Sequence, residues 1–425
     1  MKVLIVGGGG REHALAWKVA QSNRVSATFV APGNPGTELE NKVSNVAIAA
    51  DDLTGLLKFA KTEQIDLTII GPEVPLVEGI VDLFQDNGLA CFGPSKLAAQ
   101  LEGSKAFTKA FLERHNIPTG GYHSITTVEQ AEAVIDDYGL PVVIKADGLA
   151  AGKGVIIAQT RDEAMAAVSE MLLEDKFGDA GKRVVIEEFL VGEEASFIVL
   201  VDGMHIKPLA TSQDHKARDD NDLGPNTGGM GAYSPAPVVT DQLFQTIMET
   251  IIEPTVQGLE SDGMPYTGFL YAGIMVTKDG PKVLEYNCRM GDPETQPIML
   301  RLKSDLVDLC EAATTGKLDQ LDIDWDPRPS LGVVLAAGGY PDNYRKGDPI
   351  AGLPETEIDG QKVFHAGTQL KDGKVLTNGG RVLCACALGD TITQAQSNAY
   401  QLVKQISWKD VYYRTDIGYR AVNRG

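Results

Sequence analysis

The chain is short of positive charge. Its 425 residues carry 38 Lys and Arg against 58 Asp and Glu, a formal net charge of -20 at pH 7. A surface of that sign repels polyanions, which argues against broad binding to nucleic acid or to anionic membranes. Any phosphate must then be held locally, by glycine-rich backbone and individually placed Lys and Arg. Long apolar runs are missing too. No stretch reaches the roughly 18 consecutive apolar residues of a membrane helix, and Met1-Lys2-Val3-Leu4-Ile5-Val6 turns straight into glycines instead of continuing as a signal sequence. A soluble, cytoplasmic protein is expected. Cysteine is scarce: Cys91, Cys288, Cys310, Cys384 and Cys386 are odd in number, scattered and without paired zinc spacing, which points to a reducing compartment. Cys384-Ala385-Cys386 reads as a strand with two small thiols buried on one face.

What is present is an ordinary globular composition, long enough for roughly two to four domains. The first hundred residues alternate apolar strands (Val3 to Val6, Thr28 to Val30, Asp66 to Ile70) with amphipathic helices, which predicts a parallel sheet flanked by helices. Gly7-Gly8-Gly9-Gly10-Arg11-Glu12 ends the first strand and opens the first helix, where free N–H groups attract an anion. The third glycine of a dinucleotide fingerprint is replaced by Glu12 or His13, and a carboxylate there opposes a pyrophosphate, so a dehydrogenase is disfavoured. The segment reads as a site for one phosphate ester, formed by Gly9, Gly10 and Arg11, or as a purely structural tight turn. Glu73, after Gly71-Pro72, stands at the carboxyl edge of the sheet and is a candidate for ribose hydroxyls or a plain loop carboxylate. From Pro327 onward, glycine pairs and short alternating strands predict a separate, mainly β, C-terminal domain.

Three stretches carry chemistry. VVIKADGLAAGKGV (142–155) is strand, glycine-rich loop, strand, with Lys145 on the first strand and Lys153 among Gly148, Gly152 and Gly154. Glycines there let backbone amides approach a triphosphate. It is not a P-loop, because no helix follows and no Gly-Lys-Ser or Gly-Lys-Thr ends it. A hairpin closing over ATP fits, and a surface hairpin is the alternative. VVIEEFLVGEEASF (184–197) places paired acids before a turn at Gly192. In KVLEYNCRMGDPETQ (282–296), strand alternation projects Glu285, Asn287 and Arg289 together. A carboxylate and an amide oxygen suit a hard cation such as Mg²⁺, and Arg forks phosphoryl oxygens. Taken alone, the same pentad is equally compatible with a solvent-facing strand.

The order lysine hairpin, acidic hinge, glycine-rich loop LGPNTGGMGAYSP (223–235) and metal strand resembles the ATP-grasp ligases. Within them the chain is similar to the phosphoribosylamine-glycine ligases, also called glycinamide ribonucleotide synthetases. GGGGREHA, GPEVPLVEGIVD, KADGLAAGKGV, SQDHK, GPNTGGMGAYSP, YNCRMGDPETQ and DIGYRA carry the resemblance over essentially the whole length. It implies an α/β chain in three parts: an N-terminal parallel, Rossmann-like substrate domain (1–103), a central ATP-grasp domain (104–327) with a mobile lid subdomain at about 122–189, and the C-terminal domain (328–425). It implies that Lys105 and Lys145 bind the α and β phosphates and that residues 148–154 form the lid. Glu187 and the backbone of Phe189 and Leu190 would meet adenine, and Glu194 the ribose. Glu285 and Asn287 would hold Mg²⁺ or Mn²⁺, with Arg289 on the transferred phosphoryl group. The strand before them, Gly268 to Val276, has no acid, which leaves a second metal's ligands open. Gly228, Gly229 and Gly231 are candidates for glycine's carboxylate, and Asp214 for a proton acceptor or a solvated loop acid.

The partners so implied are small molecules, glycine, 5-phosphoribosylamine and ATP, acting on a monomer. Rivals are another ATP-grasp enzyme, such as a carboxylase of the same pathway or a D-alanine ligase, and a nucleotide sensor on a dead ligase scaffold. Intact Lys145, Glu285, Asn287 and Arg289 speak against the sensor. Glycyl phosphate, the expected intermediate, is easily hydrolysed, so a closing hairpin has the purpose of excluding water. Lys153→Ala is therefore expected to lower the ratio of amide formed to ATP hydrolysed. An unchanged ratio, measured as product against ADP, would remove the lid assignment.

Overall fold

The protein is described from a computed structural model covering residues 1–149, 154–173, 182–356 and 358–424. The N-terminal sheet has five parallel strands in the order Val43–Asn45, Ala27–Pro32, Lys2–Gly7, Leu67–Ile70, Cys91–Phe92. Val3, Leu4, Ile5 and Val6 are all buried, as a parallel strand covered on both faces requires. Helix Leu53–Glu63 starts where Asp52 accepts from the Gly55 N–H. The loops after Gly7 and Ile70 lie at the carboxyl ends of their strands.

A small antiparallel sheet follows, in the order Tyr122–Ile125, Val184–Glu188, Val142–Ala146, Val155–Ala158. Helices Val128–Val134 and Arg161–Leu173 pack on it around a core of their own that includes Ile144, Val168, Met171 and Ile186. The central sheet is Ile206–Pro208, Glu193–Asp202, Thr267–Thr277, Gly280–Asn287, also antiparallel. It shares hydrophobic core with the N-terminal sheet, through contacts such as Phe92 edge-on to Phe269.

The last sheet runs Gln213–Asp214, Gly231–Ser234, Ser330–Ala336, Arg381–Leu388, Gln361–His365, with helix Ile392–Val403 upon it. Two of its strands thus come from the middle of the chain. The stretch 223–235 is consequently not one loop: Leu223–Asn226 pairs with Ala217–Asp219, and Gly231–Ser234 enters the C-terminal sheet. Gly231 allows that entry, since a Cβ there would stand 2.6 Å from Gly332 O. The five cysteines are buried and free, with Cys384 and Cys386 Sγ 3.6 Å apart. Among the described residues no helix is long and apolar enough to cross a membrane.

The C-terminal DIGYR stretch clasps this middle segment. Arg414 is fully buried and donates to Asp416 Oδ1 (2.8 Å), Asp222 Oδ1 (2.9 Å) and Ala217 O (3.0 Å). Tyr419 Oη and Arg420 Nη2 each reach Asp222 Oδ2 at 2.6 Å, and the Gly418 N–H donates to His215 Nε2 at 2.9 Å. Removing a buried cation strands its acids. Arg414→Leu should lower unfolding free energy by about 3 kcal/mol in chemical denaturation; a loss near zero would show that the clasp contributes nothing.

Candidate active site

The small sheet and the central sheet face each other across a cleft of about 430 Å³. The Lys145 side chain crosses it. Lys145 Nζ, on Val142–Ala146, lies 3.0 Å from Glu187 Oε2 and donates to Leu284 O on the opposite sheet at 3.3 Å. Leu284 is the extra residue of a bulge: Val283 pairs with Ile274 and Glu285 with Gly273, so Leu284 has no partner. Bulges of this kind re-aim neighbouring side chains, and Glu285, Asn287 and Arg289 all line the cleft. The strand itself stops at Asn287. Arg289 is held by tertiary ion pairs, with Glu102 at 2.7 Å and Glu73 at 3.5 Å, not by strand alternation.

Cations gather at one end. Lys105 donates to Gly148 O (2.8 Å), while Lys109 lies 3.0 Å from the same Glu187 oxygen that Lys145 holds. Burial pulls the Lys105 ammonium below its ordinary range and brings Lys109 down to about 8. Glu187 is buried, and its Oε1 is without a hydrogen-bond partner among the described residues. Further along, Lys216 Nζ sits 2.7 Å from Glu194 Oε2 and 3.8 Å from Glu285 Oε1. Burial opposes charge on both partners, yet Glu194, Glu285 and Asp214 raise Lys216, and Lys216, Lys145 and Lys105 lower Glu285. Glu285 is therefore ionised and available to a cation.

Opposite Lys216 the balance is acidic. Asp214 is pushed up to about 8, first by burial and then by the charge of Glu294. Glu294 is buried and accepts from Ser196 Oγ (2.8 Å), which also meets Tyr271 Oη (3.0 Å). Glu102, behind Arg289, is pushed up to about 6 by burial despite the guanidinium.

Of the residues singled out by sequence, Arg11, Glu73, Lys105, Lys145, Gly148 and Gly154 line the cleft, together with Glu187, Asp214, Gly228, Glu285, Asn287 and Arg289. Glu194 reaches it only through Lys216. Phe189 and Leu190 follow the Val184–Glu188 strand outside the lining, Leu190 buried against Gly120. Gly9 and Gly10 also stand outside it, and the Gly9 N–H donates to Glu12 Oε2 at 2.6 Å, so Glu12 already satisfies the helix start as its own capping acid. Gly229 packs on Pro293 and Gly231 on Gly332. Gly152 and Lys153 lie outside the described residues. Sequence reading missed Glu102, Lys109, Lys216, Glu294, Tyr340 and Arg381, all of which line the cleft. Lys216 and Glu294 at least sit within the quoted SQDHK and GDPETQ stretches.

Comparison with known proteins settles the family. Residues 1–102, 103–295 and 330–420 match the N domain, the ATP-grasp (A) domain and the C domain of phosphoribosylglycinamide synthetase. The chain is 64% identical, over all of its length and 99% of the relative's, to a phosphoribosylamine-glycine ligase of Vibrio parahaemolyticus. This chain belongs to the phosphoribosylglycinamide synthetase family. The family's fold is found in the crystal structure of the Thermotoga maritima phosphoribosylamine-glycine ligase, with a TM-score of 0.85 and 34% identity over 98% of this chain and 100% of that one. A biotin carboxylase domain from Hydrogenobacter thermophilus, in complex with MgADP and bicarbonate, shares the fold alone, at a TM-score of 0.77 and 15% identity over 99% and 98% of the two chains.

The Asp214 shift has a measurable consequence. Its carboxyl ionises near 3.8 when unfolded and near 8 when folded, so between those values the folded state holds a proton that the unfolded state has lost. That group's contribution to stability falls as pH rises from about 4 to about 8. Asp214→Asn should therefore gain stability relative to the parent across that window in denaturation series; parallel curves would contradict the shift.

Proposed function

We infer that this chain ligates glycine to 5-phosphoribosylamine, giving glycinamide ribonucleotide, ADP and phosphate through glycyl phosphate, a step of purine biosynthesis. The observation that carries the reading is the apposition of Lys145 to the Leu284–Glu285 bulge, within a chain of this family along its whole length. ATP is a substrate, and the other ligands are small molecules.

A carboxylate becomes an acyl donor only when one oxygen is turned into a leaving group, so transfer of the γ-phosphoryl to glycine comes first. Lys105 and Lys145 would neutralise the α and β phosphates and Arg289 the moving phosphoryl group, an electrostatic and positioning role. Glu187 Oε1, an unpaired buried acceptor, suits the exocyclic amine of adenine. The backbone of Phe189 and Leu190 would complete the adenine site, and Glu194 would take the ribose. Glu285 and Asn287 fit Mg²⁺ or Mn²⁺: one ionised carboxylate and one amide oxygen on a cleft edge suit an ion that takes its other ligands from phosphates and water. Such an ion supplies charge neutralisation for the phosphoryl group. Among the described residues no cluster of three or more His, Cys, Asp or Glu is placed to hold a metal.

The amine of phosphoribosylamine, already largely neutral near pH 7, then attacks the acyl carbon and phosphate leaves. With its carboxyl near 8, Asp214 is mostly protonated before substrates arrive. A cation bound beside it would lower that value and free it to accept the amine's proton. Glycine's carboxylate is proposed to sit beside Gly228 and Gly229, whose N–H groups are held by Tyr340 Oη and Thr227 Oγ1 until it binds, and Glu73 to meet the ribose hydroxyls. We further propose a cytoplasmic monomer, divided at 1–103, 104–327 and 328–425, with residues of about 122–189 acting as the lid.

ADP release should require glycine and phosphoribosylamine together for full rate. Glu285→Ala should cut turnover on the order of 100-fold or more at ordinary Mg²⁺ levels. A variant with the parent's metal dependence would remove the metal assignment, and no ADP with all three substrates would remove the function.

A further inference from the structure

Part of the cleft is built by the C-terminal segment. Arg381, on Arg381–Leu388, and Tyr340 both line it. Arg381 Nη1 donates to Gly228 O and, at 2.6 Å, to Asp292 O, and Nη2 donates to Asp292 Oδ2 at 2.8 Å. These bonds use both protons of Nη1 and one of Nη2. The other edge of the guanidinium, Nε–H with the second Nη2 proton, makes no hydrogen bond among the described residues, and the side chain is 22% exposed. A free Nε/Nη2 edge is a planar two-toothed donor that matches a phosphate or carboxylate. Beside it, Tyr340 Oη accepts from the Gly228 N–H at 3.0 Å, which leaves the hydroxyl proton free to donate.

The helix start at Gly9 and Gly10 is the alternative home for a phosphate, and protein groups already take up part of it. Glu12 takes the Gly9 N–H, and a Cβ on Gly10 would stand 2.7 Å from Gln296 Nε2, so protein already fills that space. Two anionic groups compete for the Arg381 end, the carboxylate of glycine and the phosphate ester of the acceptor. Lys145 and Glu187 mark the nucleotide in the proposed reaction, Glu285 and Arg289 the point of phosphoryl transfer, and Arg381 bonds Asp292, three residues after Arg289. The acceptor substrate is the remaining phosphate ester, and it must extend from the transfer point outward.

We propose that the 5-phosphate of the ribosylamine substrate is held by the Nε/Nη2 edge of Arg381 and the hydroxyl of Tyr340, with Asp292 fixing the guanidinium. This rests on the ligase reading above. The C-terminal segment then selects phosphorylated over unphosphorylated ribosylamine, and Arg11, whose guanidinium donates to Glu12 and Met290 O, contributes charge without being the primary contact.

The test uses the full chain and two stable probes, glycinamide ribonucleotide and its dephosphorylated ribonucleoside, with affinities measured by calorimetry. Arg381→Met should weaken ribonucleotide binding roughly 10- to 100-fold, the range for charge-assisted hydrogen bonds, and leave ribonucleoside binding within about twofold. Equal losses for both probes, or a retained preference for the phosphorylated one, overturn the anchor. A raised KM for glycine with that preference intact would mean that the edge holds a carboxylate, and overturns it too. Should Arg381→Met fail to fold, Arg381→Lys and Tyr340→Phe serve instead: each should narrow the preference, and no change in either overturns the proposal. A parent chain that binds neither probe defeats the ligase reading itself, whereas a parent that prefers the ribonucleotide beside an Arg381 variant that still does defeats only the anchor.

Discussion

A single buried ammonium ties the two halves of the cleft together. Lys145 Nζ reaches Glu187 on its own sheet and the Leu284 carbonyl on the other, two strands whose sequence positions are 139 residues apart. The bulge at Leu284 is what offers that carbonyl, and the same irregularity turns Glu285 into the cleft. A regular ladder at this point would have spent the carbonyl on its neighbour strand. In the proposed reaction a triphosphate replaces the carbonyl and carboxylate as partners of Lys145, so the contact that spans the cleft marks the site it serves.

The same pattern of borrowed partners recurs along the cleft and reconciles phosphate chemistry with a formal charge of -20. Lys109 shares Glu187, Lys216 sits between Glu194 and Glu285, Arg289 lies against Glu102 and Glu73, and Arg381 grips Asp292. An unpaired buried cation is costly, and so is an unpaired acid. Pairing them keeps the site folded before substrates bind, and leaves Glu187 Oε1 buried without a hydrogen-bond partner among the described residues. That is an atom a ligand can satisfy without first breaking a bond.

Much of this could be read before any coordinates. The parallel N-terminal sheet followed from apolar strands alternating with amphipathic helices, and Glu285 and Asn287 followed from alternation along one strand, whereas Arg289 lies past the end of that strand and is placed by Glu102 and Glu73. The mismatch of Glu12 with a dinucleotide loop was visible as well, and its cause is that the carboxylate caps the helix from within. What stayed hidden depends on contacts between distant positions. Glu102 gives no sign in its own helix that Arg289 will lie against it. For Asp214 the sequence left a proton acceptor and a solvated loop acid equally open, and gave no sign that burial and Glu294 would raise its pKa. The 223–235 glycines suggested a loop because glycine is a turn signal, whereas Gly231 serves close packing against strand Ser330–Ala336, about a hundred residues later. Periodicity reports the face a side chain takes, and not the partner waiting there.

The most direct measurement is a crystal structure of this chain with glycine, Mg²⁺ and a non-hydrolysable ATP analogue. The predicted result is a triphosphate between Lys105 and Lys145 on one side and the Glu285–Asn287 edge on the other, with the terminal phosphate at Arg289 and Lys145 released from Leu284 O. A nucleotide lodged in a different cavity, or Lys145 still bonded across an empty cleft, would contradict it.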